Sequence, residues 1–359
     1  MTMTLGRRAI IAAAGLAASG LPCAPSHATR PQSAIAGEWG KFKGRFLRDD
    51  GRLVDTGNGG VSHSESQSYG LLLSASVDDP EGFRRILTWT RANLAIRPQD
   101  TLMAWRYRHG AVRPVDDLNN ATDGDLMFAW ACARAYDRWK KPEHLALARA
   151  IAQDILKVLS VTANGKRYLL PGSTGFFHGD RIVLNPSYHV VPALRRMSEL
   201  VPDRAWAEIL AAGDEVVQRS RRGTWNLPPD WAQVGRAGGN PAPSTSNPQR
   251  FGYDAVRVPL NLVWGGDQGS EALRSIDGFW SGNPTRMPGW VDLRTGGFSP
   301  EPASDGHRAI AKLTSAALAG WQQTVSVGGV EKAYDYYSAA LIMLVRLALS
   351  DLGKPQPSL

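Results

Sequence analysis

The chain has 359 residues, 43% of them hydrophobic and 21% charged, which suits a folded protein with a sizeable core and argues against disorder. Its 41 Lys and Arg outnumber 33 Asp and Glu for a formal net charge of +8. The basic residues are scattered, and the tightest group, Arg219 to Arg222, is broken by Ser220; this pattern describes a solvated surface and excludes a nucleic-acid footprint.

Residues 1–28 read as a removable export leader, with a basic Arg7-Arg8, an apolar run from Ile10 to Leu21 and a small-residue cleavage site at Ser26-His27-Ala28. The apolar run is short for a bilayer. Arg7-Arg8 hints at the twin-arginine route, but its flanks match poorly and leave ordinary secretion open. Cys23 leaves with the leader, so Cys132 remains alone and the mature chain, 29–359, relies on its core rather than on a disulfide. No later stretch is long and apolar enough for a membrane helix.

The mature chain reads as mostly helical. Helices are expected at 64–77, 81–94, 123–139, 144–159 and 187–200, then at 204–219, 253–263, 270–279, 306–321 and 332–349. Ser62 or Ser64 is the expected cap of the first and Thr122 of the third. Short strands are expected at 102–107 and 168–170. With about ten helices, no dividing linker and no repeat, the economical architecture is all-α, one domain over 29–359 with function-bearing loops at one end.

Three acidic segments stand out. Glu65 sits alone in the neutral run His63-Ser64-Glu65-Ser66-Gln67-Ser68-Tyr69-Gly70, followed by Leu71-Leu72-Leu73. A carboxyl without a nearby cation, against an apolar surface, tends to keep its proton, as a general acid requires. The competing reading is a first-turn glutamate that merely stabilises its helix. Asp123 and Asp125 open the helix at 123–139; two positions apart, they diverge, so at most one reaches a substrate while the other caps or buttresses. No His or further acid stands at ligand spacing, so neither metal nor cofactor is expected. Asp254 has Arg257 one turn on, which favours the ionised form a general base needs; a plain surface ion pair is the alternative.

One acid kept protonated and one kept ionised is the chemistry of glycosidic hydrolysis. Tryptophan supports it, since the 12 Trp outnumber the 9 Tyr and 9 Phe. Trp105, Trp225, Trp231, Trp280 and Trp290 fall in expected loops, where flat faces can stack on sugar rings. Trp89, Trp130, Trp139, Trp206 and Trp321 read as core.

These segments resemble glycoside hydrolase family 8, the inverting endoglucanase family with an (α/α)6 barrel. The likeness runs through Ser64-Glu65-Ser66-Gln67-Ser68-Tyr69-Gly70, Ala121-Thr122-Asp123-Gly124-Asp125, Asn185-Pro186-Ser187-Tyr188, Pro229-Asp230-Trp231 and Tyr253-Asp254-Ala255-Val256-Arg257. It spans most of the mature chain and is nearest to the endoglucanases that accompany bacterial cellulose synthesis. It implies Glu65 as general acid, Asp254 as general base and Asp123 as the residue that binds and distorts the sugar at the cleavage point, with Asp125 second for that role. Tyr188 would place the attacking water and Arg257 would orient Asp254 or a sugar hydroxyl. Trp105, Trp231 and Tyr253 join the substrate-binding set. The family usually has Gly where this chain has Ser66, and a positive φ there would strain a serine.

The expected function is a secreted endo-β-1,4-glucanase acting on a β-glucan, with carboxyls about 6.5–9.5 Å apart and with a bacterial cellulose synthase system as its possible partner. Xylan and chitosan are the alternative polymers, chitosan the poorer because a basic protein repels it. A non-catalytic glucan-binding accessory protein is the alternative of another class, against which the retained acid and base both argue.

Overall fold

A computed structural model describes residues 30–283 and 285–356. The leader and its cleavage site lie outside the described residues. Eleven α-helices are described: α1 (Arg30–Phe46), α2 (Ser64–Ser76), α3 (Pro80–Asn93), α4 (Thr122–Trp139), α5 (Pro142–Asp154), α6 (Val191–Leu200), α7 (Arg204–Arg219), α8 (Arg257–Trp264), α9 (Glu271–Ser281), α10 (Asp305–Leu318) and α11 (Tyr336–Asp351).

Six of them close a ring, in which α2, α4, α6, α8, α10 and α11 each pack on the next and α11 returns to α2. The others cover this ring from outside: α3 on α2, α5 on α4, α7 on α6, α9 on α8 and α10, and α1 on α11. This is the (α/α)6 barrel. Between α10 and α11 the described chain has no outer helix; a 3-10 turn, Val330–Lys332, packs there on α1 and α11. Burial patterns follow the layers. In α11 all of Ser338 to Leu349 is buried, as a helix apolar on every side must be. Outer α7 buries only the stripe Ala205, Trp206, Ile209, Ala212, Val216 and Val217.

Four small antiparallel sheets fold the loops at the N-terminal ends of the inner helices. β1 (Ser62–His63) pairs with β2 (Arg106–Tyr107), and β3 (Ser160–Ala163) with β4 (Lys166–Leu169). β5 (Arg181–Leu184), β6 (Ala232–Gly235) and β7 (Ala242–Pro243) form a three-stranded sheet, and β8 (Arg250–Phe251) pairs with β9 (Val291–Asp292). Among the described residues no helix is long and apolar enough to cross a membrane.

The layout departs from sequence expectation in several places. α1 carries Trp39, Phe42 and Phe46 at helical spacing and was not anticipated. The expected helix over 253–263 starts only at Arg257, leaving Tyr253 and Asp254 in a turn. The one over 187–200 is split, because the backbone of 186–188 makes a 3-10 turn before α6. The one over 332–349 starts at Tyr336, the one over 306–321 ends at Leu318, and the one over 144–159 ends in a π turn, Ile155–Leu159. The strand over 102–107 shrinks to Arg106–Tyr107. Trp280 lies in α9 and is buried, not in a loop. Several of these differences lie at inner-helix starts, where loop contacts rather than periodicity decide the first turn.

Candidate active site

The N-termini of the inner helices meet at one end of the barrel, around a cleft of ≈ 240 Å³. His63, Glu65, Asp123, Tyr188, Tyr336 and Tyr337 are among its walls. Helix N-termini carry partial positive charge, so this end of the ring favours a cluster of carboxylates.

α2 brings Glu65. Its cap is His63, not Ser62 or Ser64: Ser66 N–H donates to His63 Nδ1 at 3.0 Å, and the Ser66 hydroxyl reaches back to the His63 backbone. Ser66 is therefore helical, free of positive φ, and half of a capping box; the strain expected from a serine in the glycine position does not arise. Glu65 Oε1 accepts from the Tyr69 hydroxyl one turn on and lies 3.3 Å from Arg257 Nη1. The cation-free setting expected for Glu65 is thus overturned, because Arg257 arrives from a distant helix.

α4 brings Asp123. Thr122 is not its cap, since its hydroxyl donates to Leu170 O at 2.6 Å and the cap residue is Ala121. Asp123 is buried, with Oδ2 3.5 Å from Arg257 Nη2. Burial, then the charge of Glu65, push its carboxyl up to about 8, against the pull of Arg257. Gly124 has a packing reason: a Cβ there would lie 2.4 Å from Ser64 Oγ and 2.9 Å from Glu65 N. Asp125 turns the other way and does not line the cleft. It is fully buried and accepts from Met103 N at 2.9 Å and Asn120 Nδ2 at 2.8 Å. Burial pushes its carboxyl up to about 7.

The turn before α8 brings Asp254, 2.8 Å from Arg257 Nη2. Burial raises its carboxyl above the ordinary range, although Arg257 pulls it down. The sequence expectation kept only the second effect. Arg257, itself buried, also donates to Ser187 Oγ at 3.0 Å, and Asn261 Nδ2 donates to Ser187 O at 2.8 Å. One guanidinium therefore joins Glu65 of α2, Asp123 of α4, Asp254 of the turn before α8 and the Tyr188 segment that precedes α6.

Tyr188 stands on the cleft wall, tilted against Trp231 at 6.3 Å. One face of Trp231 is stacked on Phe176 at 5.7 Å. Trp105 lines the cleft, with its Nε1 on Asp117 and the Arg106 guanidinium 4.2 Å over its ring. Tyr253 is 41% exposed and touches Tyr337 and His307 edge-on. Sequence reasoning gave no role to His63, Asp55, Tyr69, Asp230, Tyr336 or Tyr337, although His63, Tyr69 and Asp230 lie in segments it singled out. Tyr69 was within reach, four residues from Glu65. The role of Asp230 was not: its Oδ1 accepts the N–H groups of Gly252, Asp254 and Ala255 at 2.9, 3.1 and 2.8 Å, fixing the turn of Asp254, 24 residues away.

The chain is similar to known proteins in sequence and in fold. The family model described as "Glycosyl hydrolases family 8" matches residues 22–351. A protein of Novacetimonas hansenii named "Probable endoglucanase" is 41% identical over 89% of this chain and 92% of its own. An "Endoglucanase" of Cellulomonas uda is 34% identical over 79% of each. The solved endo-beta-1,4-glucanase of Acetobacter xylinum superposes with a TM-score of 0.84 at 40% identity, covering 89% of this chain and 99% of that one. With a matching ring of helices and a family match over nearly its whole length, the chain belongs to the glycosyl hydrolases of family 8.

Proposed function

We propose that the protein is an endo-β-1,4-glucanase that cleaves a β-glucan lying across the cleft, with inversion at the anomeric carbon. The observation that carries this is the buried Arg257 bridging Glu65 and Asp254, at 3.3 and 2.8 Å. Both carboxyls lie within reach of one guanidinium, compatible with the about 6.5–9.5 Å an inverting pair leaves for water. Glu65 delivers its proton to the leaving glycosidic oxygen. Asp254, held in its pair with Arg257, takes the proton of the water that attacks the opposite face. Asp123 accepts from a hydroxyl of the sugar being cleaved, and its elevated carboxyl keeps a proton in the cleft at neutral pH. Tyr188 positions the water, and Trp105, Trp231 and Tyr253 offer their free faces and edges to neighbouring sugars. The leader over 1–28 supports export, so that the enzyme meets its glucan outside the cytoplasm, where a cellulose synthase system delivers such a polymer.

The decisive experiment assays wild type, Glu65→Gln and Asp254→Asn on carboxymethylcellulose, lichenan, xylan and chitosan, with the released anomer followed by NMR. Activity on the β-glucans, an inverted first product and near-complete loss in both variants are expected. Wild-type-like turnover in either variant overturns the assignment, and preference for xylan or chitosan overturns the substrate.

A further inference from the structure

His63 lines the cleft with both ring nitrogens engaged, and its role is unassigned. Its Nδ1 accepts the Ser66 N–H at 3.0 Å, so that nitrogen carries no proton in this geometry. The proton then sits on Nε2, which faces Asp55 Oδ2 at 3.2 Å. Asp55 is fixed in turn, its other oxygen accepting Gly57 N–H at 3.0 Å. Two residues on, Glu65 Oε2 lies 4.0 Å from the same Nδ1. The ring also faces Tyr336 of α11, edge-on at 6.0 Å, and feels Asp123 of α4. Its strand partner Arg106 turns away, to Trp105 and Asp116.

A titratable cap is unusual, since the usual caps keep their acceptor at every pH above the carboxylate range. Here the acceptor is a nitrogen lone pair. A proton arriving from solvent through the cleft occupies that lone pair, and Ser66 N–H loses its partner. The new Nδ1–H then faces Glu65 Oε2 as a cation. Burial disfavours the imidazolium, but Asp55 and Glu65 outweigh it and raise His63 above the ordinary histidine value. The change therefore falls within the range where an enzyme works.

We propose that His63, held by Asp55 and Ser66, is a positioning residue that fixes the start of α2, and through it Glu65, while neutral, and that frees the helix start and sets a cation against Glu65 when protonated. The inference rests on Glu65 being the general acid. Below the His63 ionisation, kcat falls about tenfold per pH unit, as for loss of one essential protonation state.

The test is the kcat–pH profile of wild type, His63→Asn and His63→Ala on lichenan, with Glu65→Gln in the same assay. Asn caps a helix without titrating, so in His63→Asn the acid limb moves down by about one pH unit or more, toward the carboxylate range. His63→Ala lowers kcat across the whole range, and Asn restores most of that loss. A limb left in place in His63→Asn, with Glu65→Gln inactive, overturns the proposal alone. An active Glu65→Gln overturns the acid assignment and the proposal with it.

Discussion

Gly124 faces Ser64 so closely that a methyl group on it would lie 2.4 Å from the serine Oγ and 2.8 Å from its Cβ. This contact locks the first turn of α4 against that of α2, and the Ser68 hydroxyl adds a 2.8 Å bond to Gly124 O. Asp123 and Glu65 are thereby held at neighbouring helix starts, so the spacing of two carboxyls depends on the absence of one side chain.

Gly124→Ala should therefore act on chemistry as well as stability. Forcing a methyl into a filled contact typically costs about 1–3 kcal/mol. Because Glu65 N is 2.9 Å from the added carbon, the helix starts must part, and kcat should fall more than stability alone explains, by about tenfold or more. Ser64→Gly in the same chain removes two of the three clashes and should recover part of both. Unfolding midpoints with kcat decide it; unchanged kcat in the single variant means that the contact does not set the carboxyl spacing.

Among the described residues, Arg257 is the guanidinium that touches Glu65, Asp123 and Asp254 together. Arg257→Met should lower kcat by at least about a hundredfold. It should also destabilise the fold, though by less than the about 3–5 kcal/mol of a broken buried pair, since a freed carboxyl can take up a proton. Arg257→Lys keeps the charge but not the fork and should recover stability better than kcat. Equal recovery of both would show that charge alone matters.

Asp230 acts on Asp254 through the backbone. Asp230→Ala leaves the Gly252, Asp254 and Ala255 N–H groups without their acceptor, at about 1–3 kcal/mol for each that stays buried and unpaired. Asp230→Asn keeps an oxygen for them but loses the charge facing Arg250 Nε at 3.0 Å, and should be milder. Urea unfolding ranks the two, and kcat should follow the same order; an intact kcat in Asp230→Ala refutes the positioning role.

What the sequence showed and hid follows from how far each constraint reaches along the chain. The helix over 204–219 was legible to the residue, because α7 is an outer helix whose apolar stripe is written locally. The divergence of Asp123 and Asp125 was legible too, since two residues on a helix start cannot face one point. Arg257 could be paired with Asp254, three residues away, but not with Glu65, because that contact exists only when the ring closes. For the same reason no local pattern announced Tyr336 and Tyr337 on the cleft wall, or His63 as a cap in place of a serine. The turn holding Tyr253 and Asp254 read as helix because its apolar neighbours have helical spacing, whereas Asp230 binds its N–H groups into another shape.

Asp125 allows a test of stability without touching the cleft. Burial puts its folded carboxyl at about 7, against about 3.9 for a free aspartate. Between those values the folded chain holds a proton that the unfolded chain has released. Stability from this group is then full below about pH 4 and is lost as pH rises through about 7, at about 1.4 kcal/mol per pH unit. Asp123 and Asp230, pushed up to about 8 and about 6, have the same sign. Asp125→Asn cannot titrate, and its amide must oppose either Met103 N–H or Asn120 Nδ2, so at pH 4.5 it should be about 1–2 kcal/mol less stable than wild type. Wild type then weakens faster with rising pH, so the gap should narrow or reverse by pH 7.5. Urea unfolding at one-unit intervals measures this, and parallel curves would refute the assigned proton. KM on lichenan should barely change, because Asp125 turns from the cleft to Met103 and Asn120; a large rise in KM would instead give Asp125 the sugar-binding role that its position in the sequence also allowed.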